Sequence, residues 1–157
     1  MSILKLKELS DFLREANKQT YANASASKAS PTRQGSKDYH YESPPFAYHD
    51  TYFGGRKFIG NEVIYHNGIA VWGMGYHGEA LIEELDERAL DKCLRTALMQ
   101  EDANILPIRG PASYSLESMH YRFAVTGGLD SFKGIEEISQ DDRVIYRCDV
   151  HGGLILK

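Results

Sequence analysis

Two seven-residue segments of this chain read alike. Phe58-Ile59-Gly60-Asn61-Glu62-Val63-Ile64 and Phe132-Lys133-Gly134-Ile135-Glu136-Glu137-Ile138 both spell F-x-G-x-E-x-I, 74 residues apart. Their surroundings agree as well: Gly54-Gly55 and Gly127-Gly128 precede them, and His77-Gly78 and His151-Gly152 follow. Self-similarity at a fixed displacement constrains architecture before chemistry, because each copy must solve the same packing problem. The expectation is two equivalent units, about residues 4–78 and 79–157, within a single domain spanning residues 1–157.

Local patterns fill in the units. Leu6, Leu9, Phe12, Leu13 and Ala16 fall at helical spacing and predict an amphipathic helix over about 6–19. The small, polar run from Ala22 to Asp38 has no period and is expected to be a flexible loop, either a functional lid or plain disorder. From Tyr39 onward, aromatic and β-branched runs separated by Gly or Pro predict strands at Tyr39–Tyr41, Phe46–Phe53, Ile59–His66 and Ala70–His77. Asn67-Gly68 supplies the positive φ angles of a type I′ hairpin turn. Leu81, Leu85, Ala89, Cys93 and Ala97 repeat every four residues and predict a second helix over 79–100. Strands follow at Tyr114–Leu116, Met119–Thr126, Ile135–Gln140 and Arg143–Val150, with Asp141-Asp142 as the turn, and a last short strand at Leu154–Leu156. The fold class expected is α+β: two helix-plus-antiparallel-meander units making one curved antiparallel sheet or open barrel, with two main helices on one side.

Composition excludes some functions. A net charge of −4 without a Lys/Arg-rich run argues against direct nucleic-acid binding, which needs a basic face to neutralise phosphates. No apolar stretch approaches the ~20 residues of a membrane span. The segment Met1–Lys7 lacks the apolar core and cleavage site of an export signal, so a cytoplasmic, membrane-free protein is expected. In that compartment Cys93 and Cys148 are expected to stay reduced.

The run Tyr52-Phe53-Gly54-Gly55 … Phe58-Ile59-Gly60-Asn61-Glu62 … Val71-Trp72-Gly73-Met74-Gly75-Tyr76-His77-Gly78, with Arg109-Gly110-Pro111 and Tyr146 … His151-Gly152-Gly153, resembles a small bacterial domain family of uncharacterised function. Members occur alone or behind a helix-turn-helix domain in regulators, and this chain resembles the stand-alone form. The resemblance implies a sensing role and transfers no catalytic residue.

Strand alternation puts Phe58, Gly60, Glu62 and Ile64 on one face and Phe132, Gly134, Glu136 and Ile138 on the corresponding face. A carboxylate on an apolar face needs a partner. Either each glutamate orders its own hairpin through hydrogen bonds, or the two share a cavity and raise each other's pKa for acid–base work. His77 and His151 occupy matching strand ends, where they would face a groove or satisfy hairpin ends. His40, His49, His66 and His120 show no metal-ligand spacing, so neither a metal nor a cofactor is expected. Gly73–Gly78 fits G-x-G-x-x-G but opens no β-α-β unit. The aromatic residues of the strands, among them Tyr52, Trp72, Tyr76 and Tyr146, suit an amphipathic cleft or ordinary cross-strand packing. The candidate ligand-binding set is therefore Tyr52, Glu62, Trp72, Tyr76, His77, Glu136, Tyr146 and His151. Three functions are compatible with it: a small-molecule-binding or sensing module, an acid–base enzyme using Glu62 and Glu136 with His77 and His151, and an interaction module or homodimer joined through an edge strand or apolar patch.

Overall fold

A computed structural model describes residues 3–156. Met1, Ser2 and Lys157 lie outside the described residues, as do the first two positions of the Met1–Lys7 reading and the last of the second unit. The elements run α1 (Ile3–Gln19), β1 (Lys37–Ser43), β2 (Phe46–Gly54), β3 (Lys57–His66), β4 (Ile69–Ala80), α2 (Glu87–Leu98), β5 (Ser113–Leu116), β6 (Met119–Gly128), β7 (Ser131–Gln140) and β8 (Arg143–Leu154). All eight strands form one antiparallel sheet in the order β1-β2-β3-β4-β8-β7-β6-β5. The sheet is open, with β1 and β5 at its two edges. Each four-strand run is a meander, and the two meet where β4 pairs with β8, from Trp72 opposite Leu154 to Ala80 opposite Tyr146.

The predicted turns form. Asn67 and Gly68 have φ of 50° and 77°, and Asp141 and Asp142 have φ of 51° and 60°, the positive values that a two-residue I′ connection requires. Both long hairpins carry an irregularity a few residues on, between Ile64 and Tyr65 and between Ile138 and Ser139. Such bulges bend a strand and increase its twist. One face of the sheet carries both helices. Leu9, Phe12, Leu13 and Ala16 of α1 and Cys93, Leu94 and Ala97 of α2 join Tyr48, Ile64, Trp72, Met74, Tyr121, Ile138 and Val150 in one core. The helices pack at opposite ends of that face, α1 on β1 and β2 and α2 on β5 and β6. A fully buried leucine such as Leu13 contributes roughly 1.5–3 kcal/mol by leaving water, which is how the helical stripe holds α1 in place.

Two expectations are corrected. The second helix begins at Glu87, not at residue 79: Glu79 and Ala80 continue the ladder opposite Arg147 and Tyr146, Leu81 N donates to Ile145 O at 2.8 Å, and the Asp86 side chain caps the helix by accepting from Ala89 N. A tertiary ladder thus overrides a helical apolar spacing. The chain end makes no separate strand, because β8 itself runs to Leu154 and Ile155 N then donates to Val71 O.

The loop before β1 is tied to the sheet by one carboxylate. Asp38 is fully buried and accepts from Thr32 Oγ1, Ser36 Oγ and Thr51 Oγ1 at 2.6–2.8 Å, and lies 2.6 Å from His49 Nε2. Burial alone would raise its pKa; the hydrogen bonds from His49, Ser36, Thr32 and Thr51 outweigh that and hold it well below the usual carboxylate range. Cys93 and Cys148 are both free and buried, and burial pushes the Cys148 thiol up to about 12, so neither is a ready nucleophile. Among the described residues no helix is long and apolar enough to cross a membrane.

Candidate functional site

Each element of F-x-G-x-E-x-I has a structural meaning. Phe58 lies opposite Gly78 and Phe132 opposite Gly152, and a Cβ at either glycine would stand 2.1 Å or 2.8 Å from the phenyl Cζ. The Gly of each His-Gly pair is therefore the floor on which the Phe ring rests. Gly60 serves a second side chain: a Cβ there would meet the Tyr76 hydroxyl at 2.6 Å. That clearance lets Tyr76, on β4, reach across β3 and donate to Asp50 Oδ1 on β2 at 2.6 Å. Glu62 and Glu136 both point into the core, 4% and 0% exposed.

The two glutamates then diverge. Glu136 is saturated with donors. Arg109, from the segment between α2 and β5, grips it with Nε to Oε2 at 2.9 Å and Nη2 to Oε1 at 2.7 Å. Tyr121 Oη donates to Oε2 at 2.6 Å and Tyr146 Oη to Oε1 at 2.8 Å. Gly110 N in turn donates to Tyr121 Oη at 3.0 Å. Burial alone would lower the Arg109 pKa, but the Glu136 charge and its hydrogen bonds raise it well above the ordinary value, so the ion pair persists. Burial and the Glu136 charge both push Tyr121 and Tyr146 upward, keeping them phenols that donate.

Glu62 has far less: the Tyr48 hydroxyl is the one donor that acts to lower its pKa. Its Oε2 is buried and has no hydrogen-bond partner among the described residues. Two differences in the surroundings of the glutamates account for this. Trp72 pairs with Ile64 as Tyr146 pairs with Ile138, but the Trp72 indole N–H donates at 2.9 Å to Leu129 O and not to the glutamate. Opposite Glu62 stands Asp50, where Phe123 stands opposite Glu136. Burial first, and the Asp50 charge second, raise the Glu62 pKa, with Arg109 working against them. Asp50 is raised too, chiefly by burial, although the Tyr76 hydroxyl lowers it. Both carboxyls are thus harder to ionise than free side chains.

This pair borders a cavity of about 290 Å³ between the inner face of β1–β4 and α2. Its inner end is formed by the buried Asp50, Glu62 and Tyr76 with Arg109 and Tyr146; Tyr21, Tyr52, Phe58, Leu90 and Leu94 form its walls. The mouth carries the exposed Lys37, Gly54, Gly55, Arg56 and Glu87. The rim cations are engaged locally. Arg56 donates to Glu87 Oε1 at 2.8 Å and to the Ile82 and Glu83 carbonyls, and Arg95 binds Asp91 through Nε at 2.9–3.0 Å while stacking 4.1 Å from the Tyr21 ring. Lys37 sits over the Tyr52 ring at 5.5 Å. Burial, first, raises the Tyr52 phenol to about 12.

The sequence model of one protein family, described as a domain of unknown function (DUF5680), matches residues 50–155. The chain belongs to the DUF5680 family. No curated protein and no solved structure matches it. The matched part of the DUF5680 domain contains both glutamates and all of the cavity residues named above except Tyr21 and Lys37, which α1, the loop and β1 bring in from before it.

Of the eight residues singled out by sequence, Tyr52, Glu62, Tyr76 and Tyr146 line the DUF5680 cavity. Glu136 stands one layer behind it, joined through Arg109 and Tyr146. Trp72 is fully buried away from it, stacked on Phe132 at 5.7 Å. His77 and His151 are exposed on the other face of the sheet, since their neighbours Tyr76 and Val150 point inward. The structure therefore does not assemble these histidines with the glutamates. Sequence reasoning passed over Asp50 and Arg109. Asp50 had a usable signal: it shares alternation with Tyr48 and Tyr52, so it is a charge on an apolar strand face, as Glu62 is. Arg109 had none beyond its place in the family motif, because it reaches Glu136 from an irregular segment.

Proposed function

We propose that this DUF5680 domain is a small-molecule-binding module whose ligand occupies the aromatic cavity and donates hydrogen bonds to Glu62. The observation that carries the reading is the unpartnered Glu62 Oε2. An unsatisfied buried acceptor costs about 1–3 kcal/mol, and nothing in the packing returns that cost. The cavity is at the small end of ordinary ligand pockets, about 300–1,000 Å³, and its lining of aromatic walls with a few convergent polar groups is what such pockets share. The two halves are read as copies of one unit, one keeping its glutamate structural and the other opening it to a ligand. Supporting this are the 74-residue phrase, the mirrored strand order and the paired bulges. A sensing role fits the company kept by the domains this chain resembles.

A thermal-shift screen against a metabolite library tests the proposal. A ligand present at 100 times its Kd stabilises by about 2.7 kcal/mol, which for a chain of this size is a rise in Tm of roughly 5–10 °C. That rise is expected to disappear in Glu62→Gln and shrink in Tyr52→Ala. No stabilising compound, or stabilisation that survives both substitutions, would sink the reading. Asp50 directly opposite Glu62 favours one second reading, an acid–base enzyme in which the two carboxyls trade a proton. A stabilising compound recovered chemically unchanged after prolonged incubation would speak against it.

A further inference from the structure

We infer that the ligand enters this cavity with a cationic, N–H-rich end, an amine or amidine carried on a compact aromatic or aliphatic body. The inference rests on the binding reading above and names the class of its ligand. It follows from what the inner end of the cavity already supplies and what it lacks.

The polar groups there divide into satisfied and unsatisfied. Arg109 is the cation closest to the acids, but its charge is committed to Glu136 through two hydrogen bonds. The Tyr76 hydroxyl is committed to Asp50. Asp50 and Glu62 lie opposite one another on β2 and β3, and among the described residues neither has a Lys, Arg or His within ion-pair distance. What remains is acceptor capacity, concentrated on Glu62 Oε2, in a place that water reaches poorly. A carboxylate or phosphate brought there would face two acids and find its natural partner, Arg109, already paired. A positive group with several N–H donors would bridge Asp50 and Glu62 and relieve their repulsion. It would also supply the hydrogen bond that Oε2 lacks.

The walls suit the rest of such a molecule. Phe58 and Tyr146 stack at 6.3 Å between centroids with their planes 18° apart, and Phe58 and Tyr76 stand at 6.1 Å. Ring faces beside a desolvated cation add cation–π attraction, and their apolar area takes a flat or short aliphatic body. At the mouth Arg56 is paired with Glu87 and Arg95 with Asp91, so the charge preference is set at the inner end of the cavity and not at its rim.

Four probes of nearly one size separate the possibilities: benzamidine, benzylamine, benzyl alcohol and benzoate, titrated calorimetrically into the full chain. The two cations are expected to bind at least about 10-fold tighter than the alcohol and the acid, a difference of 1.4 kcal/mol. Glu62→Gln is expected to abolish that preference, and Phe58→Ala to weaken all four probes without reordering them. If Glu62→Gln fails to fold, Asp50→Asn is expected to reduce the same preference, and the order in the unaltered chain stands as a test by itself. Benzoate or benzyl alcohol binding as tightly as the cations would overturn the inference, as would a cation preference that persists in both carboxyl variants. A neutral or anionic library compound seated in the cavity would overturn the ligand class and leave the binding proposal standing. Silence from the whole library and all four probes would remove both.

Discussion

Glu136→Gln is expected to cost roughly 3–5 kcal/mol, the range for breaking one side of a buried ion pair, and to lower Tm by on the order of 10 °C. The substitution removes the charge that holds Arg109, whose side chain is only 10% exposed, and forces an amide among donors arranged for a carboxylate. Tyr121, Tyr146 and both Arg109 nitrogens aim at two oxygens, so an amide nitrogen in either place meets a donor head-on. Glu136 also joins β6, β7, β8 and the segment before β5, so its loss loosens four elements at once. Urea unfolding of the two proteins checks the figure. A double variant, Glu136→Leu with Arg109→Leu, is expected to recover a large part of the loss, because a buried pair replaced by apolar side chains leaves no orphaned charge.

The second large effect is expected at the seam. Trp72→Ala should cost about 3–5 kcal/mol, as large aromatic truncations in cores do. Trp72 is fully buried where β4 meets β8, stacks on Phe132 of β7 across Gly152, and donates its indole N–H to Leu129 O. Removing it opens a cavity, unpairs a carbonyl and takes away one side-chain contact between the two meanders. Because Trp72 is remote from the cavity lining, the variant should keep whatever binding the folded fraction shows, once measured below its lowered Tm. Thermal unfolding together with a binding isotherm on the same sample separates the two effects.

These two residues show where sequence was informative. Period-two alternation was enough to turn Glu62 and Glu136 inward, and the Asn67-Gly68 and Asp141-Asp142 pairs were enough to place the hairpins, because both signals are local. The start of α2 was illegible for a physical reason. Leu81, Ile82 and Leu85 have helical spacing, but the ladder from Glu79 and Ala80 to β8 is made with residues some 70 positions away. The same limit applies at the site. Alternation already implies that His77 must point away if Tyr76 points in, and that Asp50 must join Tyr48 and Tyr52; both inferences needed only the strand. That Arg109 would choose Glu136 and leave Glu62 Oε2 without a donor is a tertiary outcome, as is the diversion of the Trp72 indole to Leu129. Two identical motif positions thus acquired opposite environments from neighbours that no local pattern records.

Glu62, unlike Glu136, is a buried carboxyl held at a cost to the fold. Thermal unfolding of the unaltered chain and of Glu62→Gln, measured from pH 5 to pH 9, tests it most directly. Burial and the Asp50 charge raise the Glu62 pKa in the folded protein above its unfolded value of about 4.3. Its favourable contribution is therefore fully present below that unfolded value and is lost as pH rises through the folded one. Glutamine has no proton to lose, and it also relieves Asp50 of a like-charged neighbour. The Tm of Glu62→Gln is expected to gain on that of the unaltered chain steadily as pH rises, equalling or exceeding it at pH 9. A Tm difference that stays constant over the whole range, or that moves in favour of the unaltered chain at high pH, would contradict it.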